Sequence, residues 1–402
     1  MTAAANRRVA ALASDRAIHR AFHWLHLHEL QLRRWQLAFL EIPAPPFEEA
    51  ARAGWFLERF RELGLKDAQI DSEGNVLAEL AGEKATGDDP VVLISAHLDT
   101  VFPAGTDTRP REEGAIIHGP GACDNGAGLA ALLGLAAALR HAEIVPPTTI
   151  LFAANVGEEG EGDLRGMKHL FSRAPYAGRI RAAIALEGSG NATVVDRALG
   201  SRRLRITVGG PGGHSWADAG LPNPILALSA ALLAISKLRL PANPRTTMNV
   251  GTIQGGTSVN SIPSNAIADI DLRSVSAMEL DRTELAVLQT LSAAIDSENR
   301  RHGPGLQFHA ERIGNRPAAA LAATSALAHS LRAVDRHLSL TTDARIGSTD
   351  ANLPLSLGIP ALAVGSGGTS GGIHTLGEWY DPTGRALALR RVLLLLLDVC
   401  SL

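Results

Sequence analysis

The sequence has little of several features that mark particular classes of protein. Only two cysteines occur, Cys123 and Cys400, so no disulfide framework is expected and a reducing compartment fits best. The 38 basic residues nearly balance the 41 acidic ones, with no long run of one sign, so nothing predicts a nucleic-acid partner or an electrostatic membrane anchor. Apolar runs such as Val392–Leu397 are far too short to span a bilayer. The N-terminus has no apolar core with a cleavage site, so we expect no signal peptide and a cytoplasmic location.

The chain length and the order of predicted strands and helices together predict two domains. A chain of 402 residues exceeds the usual single-domain size, and 46% apolar with 20% charged residues is ordinary for a globular protein. Strands alternate with helices up to about residue 196 and again from about 311. We therefore expect an α/β catalytic domain, formed by 1–196 and 311–402, with a mixed, mainly parallel sheet flanked by helices. Residues 197–310 read as an inserted, smaller α+β domain.

The stretch Val91–Val101 contains the first candidate for chemistry. Its apolar first half, rich in branched residues, is typical of a strand buried on both faces of a parallel sheet. It delivers His97 and Asp99 at its carboxyl end, where open α/β sheets bind ligands. An extended backbone points both side chains to the same side. Taken alone, the pair fits half of a metal site and a structural His–Asp contact equally well.

Other candidate ligands follow predicted strands or open a helix. They are Asp124, Glu158, Glu159, Glu187 and His374. Two carboxylates about 5 Å apart repel by roughly 3 kcal/mol at an effective dielectric near 20, so a converging set needs a cation to stay ionised. Imidazole and carboxylate ligands without thiolates suit zinc or a similar divalent metal. The alternative is that these are ordinary surface acids near loops.

Two further patterns suggest different chemistry. Gly368–Gly372 matches the G-x-S-x-G pattern, which would make Ser370 the nucleophile of a serine hydrolase, but no His follows the later acids in the order which that fold requires. His19, His23 and His26 share one face of a helix expected over about 14–39. No carboxylate joins them at an obvious spacing, so packing or an exposed face is the expected role.

Six motifs, in order along nearly the whole chain, resemble the co-catalytic zinc hydrolases. The motifs are Ser-Ala-His-Leu-Asp-Thr-Val (95–101), Gly-Ala-Cys-Asp-Asn-Gly-Ala-Gly (121–128), Gly-Glu-Glu-Gly (157–160), Leu-Glu-Gly (186–188), Gly-Gly-His-Ser (212–215) and Gly-Ile-His-Thr (372–375). That family includes acetylornithine deacetylase, succinyl-diaminopimelate desuccinylase, aminoacylase, glutamate carboxypeptidase and peptidase T. Members commonly have a second acid where this chain has Asn125.

The resemblance implies a role for each matching residue of the catalytic domain. His97 and Glu187 would hold one metal ion, and Glu159 and His374 the other. Asp124 would bridge the two ions. Glu158 would be the general base acting on the metal-activated water. Asp99 would orient His97 by accepting its ring N–H, which fixes the tautomer of the ring.

The resemblance also gives the inserted domain a role, as a lid and a dimerisation domain. His214 would polarise the scissile carbonyl, in dimeric members from the partner subunit. Asn260 and Arg273 would hold a substrate carboxylate or backbone. Hinge closure between the domains would bring such residues towards the metals.

These observations together predict a metal-dependent hydrolase that cleaves a peptide or an N-acyl amino acid amide bond. Its cofactors would be two divalent ions, zinc in the first place, with cobalt or manganese as alternatives. A glutamate at 187 favours the deacetylase and carboxypeptidase side over peptidase T and the dipeptidases. We expect a homodimer formed through the inserted domain. A non-catalytic binding protein that retains the fold is the competing hypothesis.

Overall fold

The computed structural model describes residues 2–65, 67–83, 85–173 and 175–402, with the backbone alone for Thr2. The chain divides into two compact units. The first comprises the chain up to Ala198 together with Ala320–Leu402, and the second is Leu199–Ala319. Within the described ranges, no helix combines the length and the apolar character needed to cross a membrane.

In the described part of the chain, four helices precede the first strand: α1 (Thr2–Ala13), α2 (Arg16–Leu27), α3 (Glu29–Leu40) and α4 (Ala50–Glu62). The carboxylate of Asp15 caps α2 by accepting the N–H of Ala17. The single helix expected over about 14–39 is interrupted at His28, which separates α2 from α3. There the ring of His28 stacks on Trp24, with 4.3 Å between the ring centroids.

The largest sheet is mixed and has nine strands. They are β1 (Gln69–Ile70), β2 (Val76–Leu80), β3 (Val91–His97), β6 (Thr149–Asn155), β7 (Ile180–Leu186), β8 (Thr193–Ala198), β15 (Ala319–Ala320), β16 (Asp343–Gly347) and β17 (Ala361–Val364). Their order is β1-β2-β6-β3-β7-β17-β8-β15, with β16 beside β8. Strand β3 is parallel to both neighbours, β6 and β7, and all seven of its residues are buried. The carboxyl ends of these three strands therefore share one edge of the sheet.

The described residues of the first unit form five more α-helices: α5 (Gly126–His141), α6 (Arg165–Ser172), α9 (Ala326–His337), α10 (Asn352–Ser356) and α11 (Arg385–Cys400). Helix α5 lies between the sheet and helices α2 and α3, so every residue from Gly126 to Leu139 is buried. Its many alanines and glycines allow this close packing. The side-chain oxygen of Asn125 caps α5 by accepting the N–H of Gly128.

A small antiparallel sheet in the first unit joins two distant segments of the chain. Its strands are β4 (Arg111–Glu113), β5 (Ile116–His118), β18 (Thr369–Gly371) and β19 (Trp379–Asp381), in the order β18-β19-β5-β4. The sequence indicates a polar loop up to about Gly121, where the structure has β4 and β5. Trp379 pairs with His118, so the chain before Asp124 lies beside the chain after His374.

The second unit is a four-stranded antiparallel sheet covered by two helices. Strands β9 (Gly200–Gly209), β11 (Thr246–Gly255), β13 (Asn265–Ser274) and β14 (Gln307–Arg316) lie in the order β11-β13-β9-β14. Helices α7 (Pro224–Ile235) and α8 (Ala277–His302) pack on β9 and β13. Alternate residues of β13 are buried against them, which is the pattern of a sheet with one covered face. A short ladder pairs β10 (Gly213–His214) with β12 (Ser261–Ile262).

The mainly parallel sheet flanked by helices and the separate antiparallel sheet confirm the predicted fold class. The second unit, Leu199–Ala319, differs at its end from the predicted insert of 197–310. Strand β14 continues to Arg316 because it pairs with β9 along its whole length, beyond the apolar positions that marked it in the sequence. The functions of the two units as catalytic domain and lid stay predictions.

Candidate metal centre

The predicted metal ligands converge at one edge of the large sheet. His97 ends β3, the Glu158–Glu159 pair follows β6, and Glu187 follows β7. Asp124 comes just before α5, and His374 lies between β18 and β19. Three groups have ligand-type atoms within 4.8 Å of one another: His97 with Asp124 and Glu187, His97 with Glu158 and Glu159, and Asp124 with Glu159 and His374. Neighbouring parallel strands end together, so residues far apart in sequence meet here.

Asp124 lies between the two histidines, with one carboxylate oxygen facing each. Its Oδ1 is 3.2 Å from Nε2 of His97, and its Oδ2 is 3.0 Å from Nε2 of His374. The second carboxylate on each side comes from Glu187, at 3.7 Å from His97, and from Glu159, at 3.0 Å from His374. Nε2 of each histidine thus has Asp124 and a further carboxylate at 3.7 Å or less, an arrangement that suits two ions sharing one ligand.

Two atoms at the centre of this cluster are buried without a hydrogen bond. Within the described part of the chain, Nε2 of His97 and Oδ1 of Asp124 have no such partner. A buried polar atom left unpaired costs free energy, so native proteins seldom leave one without a function. The two atoms face each other, and both are ligand atoms for a divalent metal. The residues present therefore fit a metal ion at this position.

The charges of the cluster also suit cations. Hydrogen bonds to Asp124 and Glu159 raise the pKa of His374 to about 10. Burial, followed by the charge of Asp124, raises the pKa of Glu187 to about 7. Burial opposes protonation of His97, but the surrounding carboxylates still raise its pKa well above the usual value. The metal-free cluster therefore takes up protons at the positions where bound cations would supply positive charge.

Asp99 makes contacts that differ from the predicted ones. The acceptor closest to Nδ1 of His97 is the main-chain oxygen of Asp99, at 3.0 Å, whereas the carboxylate is 3.6 Å away. The buried carboxylate instead accepts the main-chain N–H of Glu158 at 2.9 Å and that of Glu159 at 2.6 Å. The predicted orientation of the His97 ring by the Asp99 carboxylate stays a prediction, beside these contacts to the main chain. The carboxylate holds the neighbouring loop, while the main chain of the same residue orients the ring.

Several buried polar residues that the sequence analysis missed support the ligand loops. Glu378 is 1% exposed and accepts main-chain N–H groups of the loop that carries Asp124. Arg52 donates to the main-chain oxygen of Leu98, between His97 and Asp99, at 2.7 Å. The one available signal for Glu378 is an acidic residue four positions after His374 in a segment that is otherwise apolar or small. Arg52 looks in the sequence like any charged residue of an amphipathic helix.

The predicted substrate-contact residues all lie on the second unit, but they do not all lie together. His214 on β10 pairs across the ladder with Ser261, next to Asn260, and the main-chain oxygen of Asn260 accepts the N–H of Ser215 at 3.0 Å. Arg273 lies eight residues along β13 from Asn265, a distance of about 27 Å at about 3.4 Å per residue. Its Nε donates to Asp271 at 2.6 Å.

The tautomer of His214 follows from its contacts. Its Nδ1 accepts the main-chain N–H of Trp216 at 3.1 Å and that of Ala217 at 3.3 Å. A neutral imidazole whose Nδ1 accepts hydrogen bonds carries its proton on Nε2. The exposed ring of His214 therefore presents an N–H donor at Nε2.

The alternative sites have no such assembly around them. The Oγ of Ser370 lies 2.8 Å from the Oγ of Ser189, which is not a general base. His19, His23 and His26 belong to α2, and none of the metal-type groups found among the described residues includes them. Among the described residues, these side chains thus have no partner set for nucleophilic or metal chemistry.

Comparison with known proteins agrees with this geometry. In sequence, the chain is 31% identical to a probable carboxypeptidase of Aspergillus clavatus over 46% of this chain and 44% of that protein. It therefore spans less than half the length of that relative. It is 26% identical to succinyl-diaminopimelate desuccinylase of Corynebacterium glutamicum over 82% of this chain and 87% of that protein.

Solved structures share the fold. A tripeptidase of Staphylococcus aureus superposes with a TM-score of 0.74 at 22% identity, covering 93% of this chain and 99% of that one. The YXEP protein of Bacillus subtilis, described as a dinuclear metal-binding peptidase, superposes with a TM-score of 0.65 at 16% identity, over 96% and 99% of the two chains. The model of peptidase family M20/M25/M40 matches residues 93–398, which include all the converging residues. This chain belongs to peptidase family M20/M25/M40.

Proposed function

We propose that this protein is a hydrolase that uses two divalent metal ions, zinc in the first place, to cleave a peptide or an N-acyl amino acid amide bond. Family membership and the carboxypeptidase and desuccinylase relatives support metal-dependent hydrolysis of peptide or amide bonds. The observation that carries the two-ion proposal is the position of Asp124, whose two carboxylate oxygens each face a different histidine.

The ligands divide into two sets around Asp124. His97 and Glu187 would hold one ion, and Glu159 and His374 the other, with Asp124 shared between them. When bound, the ions would activate a water molecule and neutralise the negative charge that develops on the scissile carbonyl. Zinc is preferred because histidine and carboxylate ligands suit it, while cobalt and manganese accept similar ligands.

Glu158 is proposed as the general base. It is buried and belongs to a group with His97 and Glu159, but not to the group that contains Asp124 and His374. Both glutamates lie near His97, but of the two only Glu159 also belongs to the group with Asp124 and His374. In this scheme the Glu158 carboxylate accepts a proton from the attacking water and later gives it to the leaving amine. Asp99 holds the main chain of both glutamates and so positions the base.

The second unit is proposed to act as a lid and a dimerisation domain. His214 comes five residues after the end of β9 and Asn260 five residues before the start of β13, where β9 and β13 pair. Arg273 lies about 27 Å along β13 from that start, at the strand rise of about 3.4 Å per residue. A single substrate cannot contact both ends of one copy. We therefore propose that Arg273 grips the substrate of its own chain, while His214 and Asn260 reach the site of a partner subunit. There the Nε2–H of His214 would polarise the scissile carbonyl.

The surface of the second unit supports a homodimer. Strand β11 is an edge strand whose Val250 and Ile253 side chains are exposed. Trp216 and Val259, close in sequence to His214 and Asn260, are also exposed. An edge strand with exposed apolar side chains invites pairing with another chain. We propose that a second copy of this chain covers these residues.

The test combines metal content with two variants. Purified protein should contain up to two zinc ions per chain, and chelation should abolish hydrolysis of a panel of dipeptides, N-acetyl and N-succinyl amino acids. Glu158→Gln should lose turnover while it keeps its metal, because an amide cannot accept the proton. Glu159→Gln should lose metal. A metal-free protein with full activity would contradict the mechanism, and metal loss in Glu158→Gln alone would reverse the two roles.

The same panel separates the competing functions. A binding protein that retains the fold would bind panel members without turnover. A serine hydrolase acting through Ser370 would be blocked by an active-serine reagent and be indifferent to chelators. The contact between Ser370 and Ser189 gives no support to the second alternative.

A further inference from the structure

Glu378 joins the two loops that carry Asp124 and His374. Its Oε1 accepts the main-chain N–H of Cys123 at 2.8 Å and that of Asp124 at 2.9 Å. Its Oε2 accepts the N–H of Gly121 at 3.1 Å. The carboxylate is buried, and these three donors come from one turn of chain. None of the roles proposed above uses Glu378.

The main chain of Glu378 makes the same connection. Its carbonyl oxygen accepts the N–H of Gly119 at 2.9 Å, and its N–H donates to the carbonyl of Thr375 at 3.1 Å. Thr375 directly follows His374. A single residue therefore contacts both sides: the main chain ahead of Asp124 and the turn that presents His374.

The shape of the Asp124 loop depends on an acceptor at this position. Gly121 has a φ of +76°, a left-handed conformation that glycine adopts without steric cost. Three N–H groups from 121 to 124 point towards the interior, where water cannot satisfy them. An ionised carboxylate binds such N–H groups more strongly than a neutral acceptor does. Glu378 thus satisfies donors whose direction also sets the direction of the Asp124 side chain.

We propose that Glu378 is a positioning residue that sets Asp124 against His374 and thereby determines the affinity of the ion held by Asp124, Glu159 and His374. This inference rests on the proposed two-metal function. Groups that orient metal ligands typically change metal affinity by 10- to 100-fold when they are removed. Here the oriented ligand is Asp124, and the orientation acts through its own main-chain N–H and that of Cys123.

Two variants of Glu378 separate the effect of its negative charge from the effect of its side-chain length. Glu378→Gln keeps the length of the side chain, but its amide nitrogen must face at least one N–H donor, and the negative charge is lost. Glu378→Asp keeps the charge but shortens the side chain by one methylene. A matched control is Glu284→Gln on the second unit, because Glu284 is a buried carboxylate that pairs with Arg202 and Arg312 instead.

The experiment is a titration of the metal-free full-length chain with Co²⁺, followed by the visible absorption of the bound ion and by calorimetry. Wild type and Glu284→Gln should bind two ions per chain. Glu378→Gln should bind one of them 10- to 100-fold more weakly, with an altered Co²⁺ spectrum. Saturating Co²⁺ should restore most of its turnover. The metal affinity of Glu378→Asp should lie between that of wild type and that of Glu378→Gln, because the aspartate keeps the negative charge but not the length of the side chain.

The outcomes distinguish this inference from the proposed function. If wild type binds no Co²⁺, the two-metal function fails. If wild type binds two ions and Glu378→Gln binds both with the same affinity and spectrum, the positioning role is wrong, even if the variant unfolds at a lower temperature. Hydrogen exchange of the metal-free wild type provides a test that needs no variant. The amides of 121–124 should be protected before metal is added, and exchange as fast as an open loop would overturn the inference.

Discussion

Replacing Asp99 by asparagine tests whether this residue acts through the glutamate loop or through His97. The carboxylate is fully buried and accepts the N–H of Glu158 at 2.9 Å and that of Glu159 at 2.6 Å. Asparagine has one oxygen, so its amide nitrogen must face one of these donors. One hydrogen bond to a charged group is lost, which is worth about 1.5–3 kcal/mol. If that free energy is expressed in the position of the base, kcat falls about 10- to 150-fold.

The assay measures kcat, KM and metal content of Asp99→Asn at saturating zinc, on the best substrate of the panel. We expect KM and metal content near wild type, because Nδ1 of His97 hydrogen-bonds the main-chain oxygen, which the substitution keeps. Asp398→Asn is the control, since Asp398 is equally buried but pairs with Arg8 and Ser330. Weakened metal binding with kcat restored by excess zinc would refute the loop mechanism and favour the imidazole contact. Wild-type kcat together with wild-type metal binding would refute both.

Three further predictions follow from the same geometry. The pKa of His374 is raised to about 10 in the metal-free protein, so an ion that binds there must displace a proton. Competition with a chelator should therefore show a metal affinity that rises about tenfold per pH unit between pH 7 and 9. A metal affinity independent of pH would contradict this. In the presence of a chelator, protonated His374 should stabilise the folded state fully below pH 6.5, the ordinary pKa of histidine. This contribution should be lost as the pH rises through about 10, the pKa in the folded protein. Urea unfolding of wild type and His374→Ala at several pH values measures the difference. If His214 acts in a partner's site, mixing inactive His214→Ala and Glu158→Gln subunits should restore about a quarter of the wild-type activity once the subunits have exchanged. About half of the dimers are then mixed, and each mixed dimer has one intact site of two. No recovery of activity would place His214 in the site of its own chain.

The sequence by itself determined which strands are followed by candidate metal-ligating side chains. Strand β3 was predictable because a short apolar run rich in branched residues is typical of a buried strand. His97, Asp124, Glu187 and His374 could be proposed as ligands because metals prefer histidine and carboxylate side chains, which here follow predicted strands or open a helix. The fold class followed from the alternation of helices and strands. These features are local, so a reading along the chain could find them.

Only the tertiary structure decided how the ligands are held. That the Asp99 carboxylate holds the loop of Glu158 and Glu159 depends on where two main-chain N–H groups point. That Glu378 holds the Asp124 loop depends on β5 pairing with β19, a contact between segments more than 250 residues apart. The direction of a main-chain N–H group is not encoded in side-chain identity, so the sequence could single out Glu378 as an unusual acid but could not show which donors either carboxylate meets.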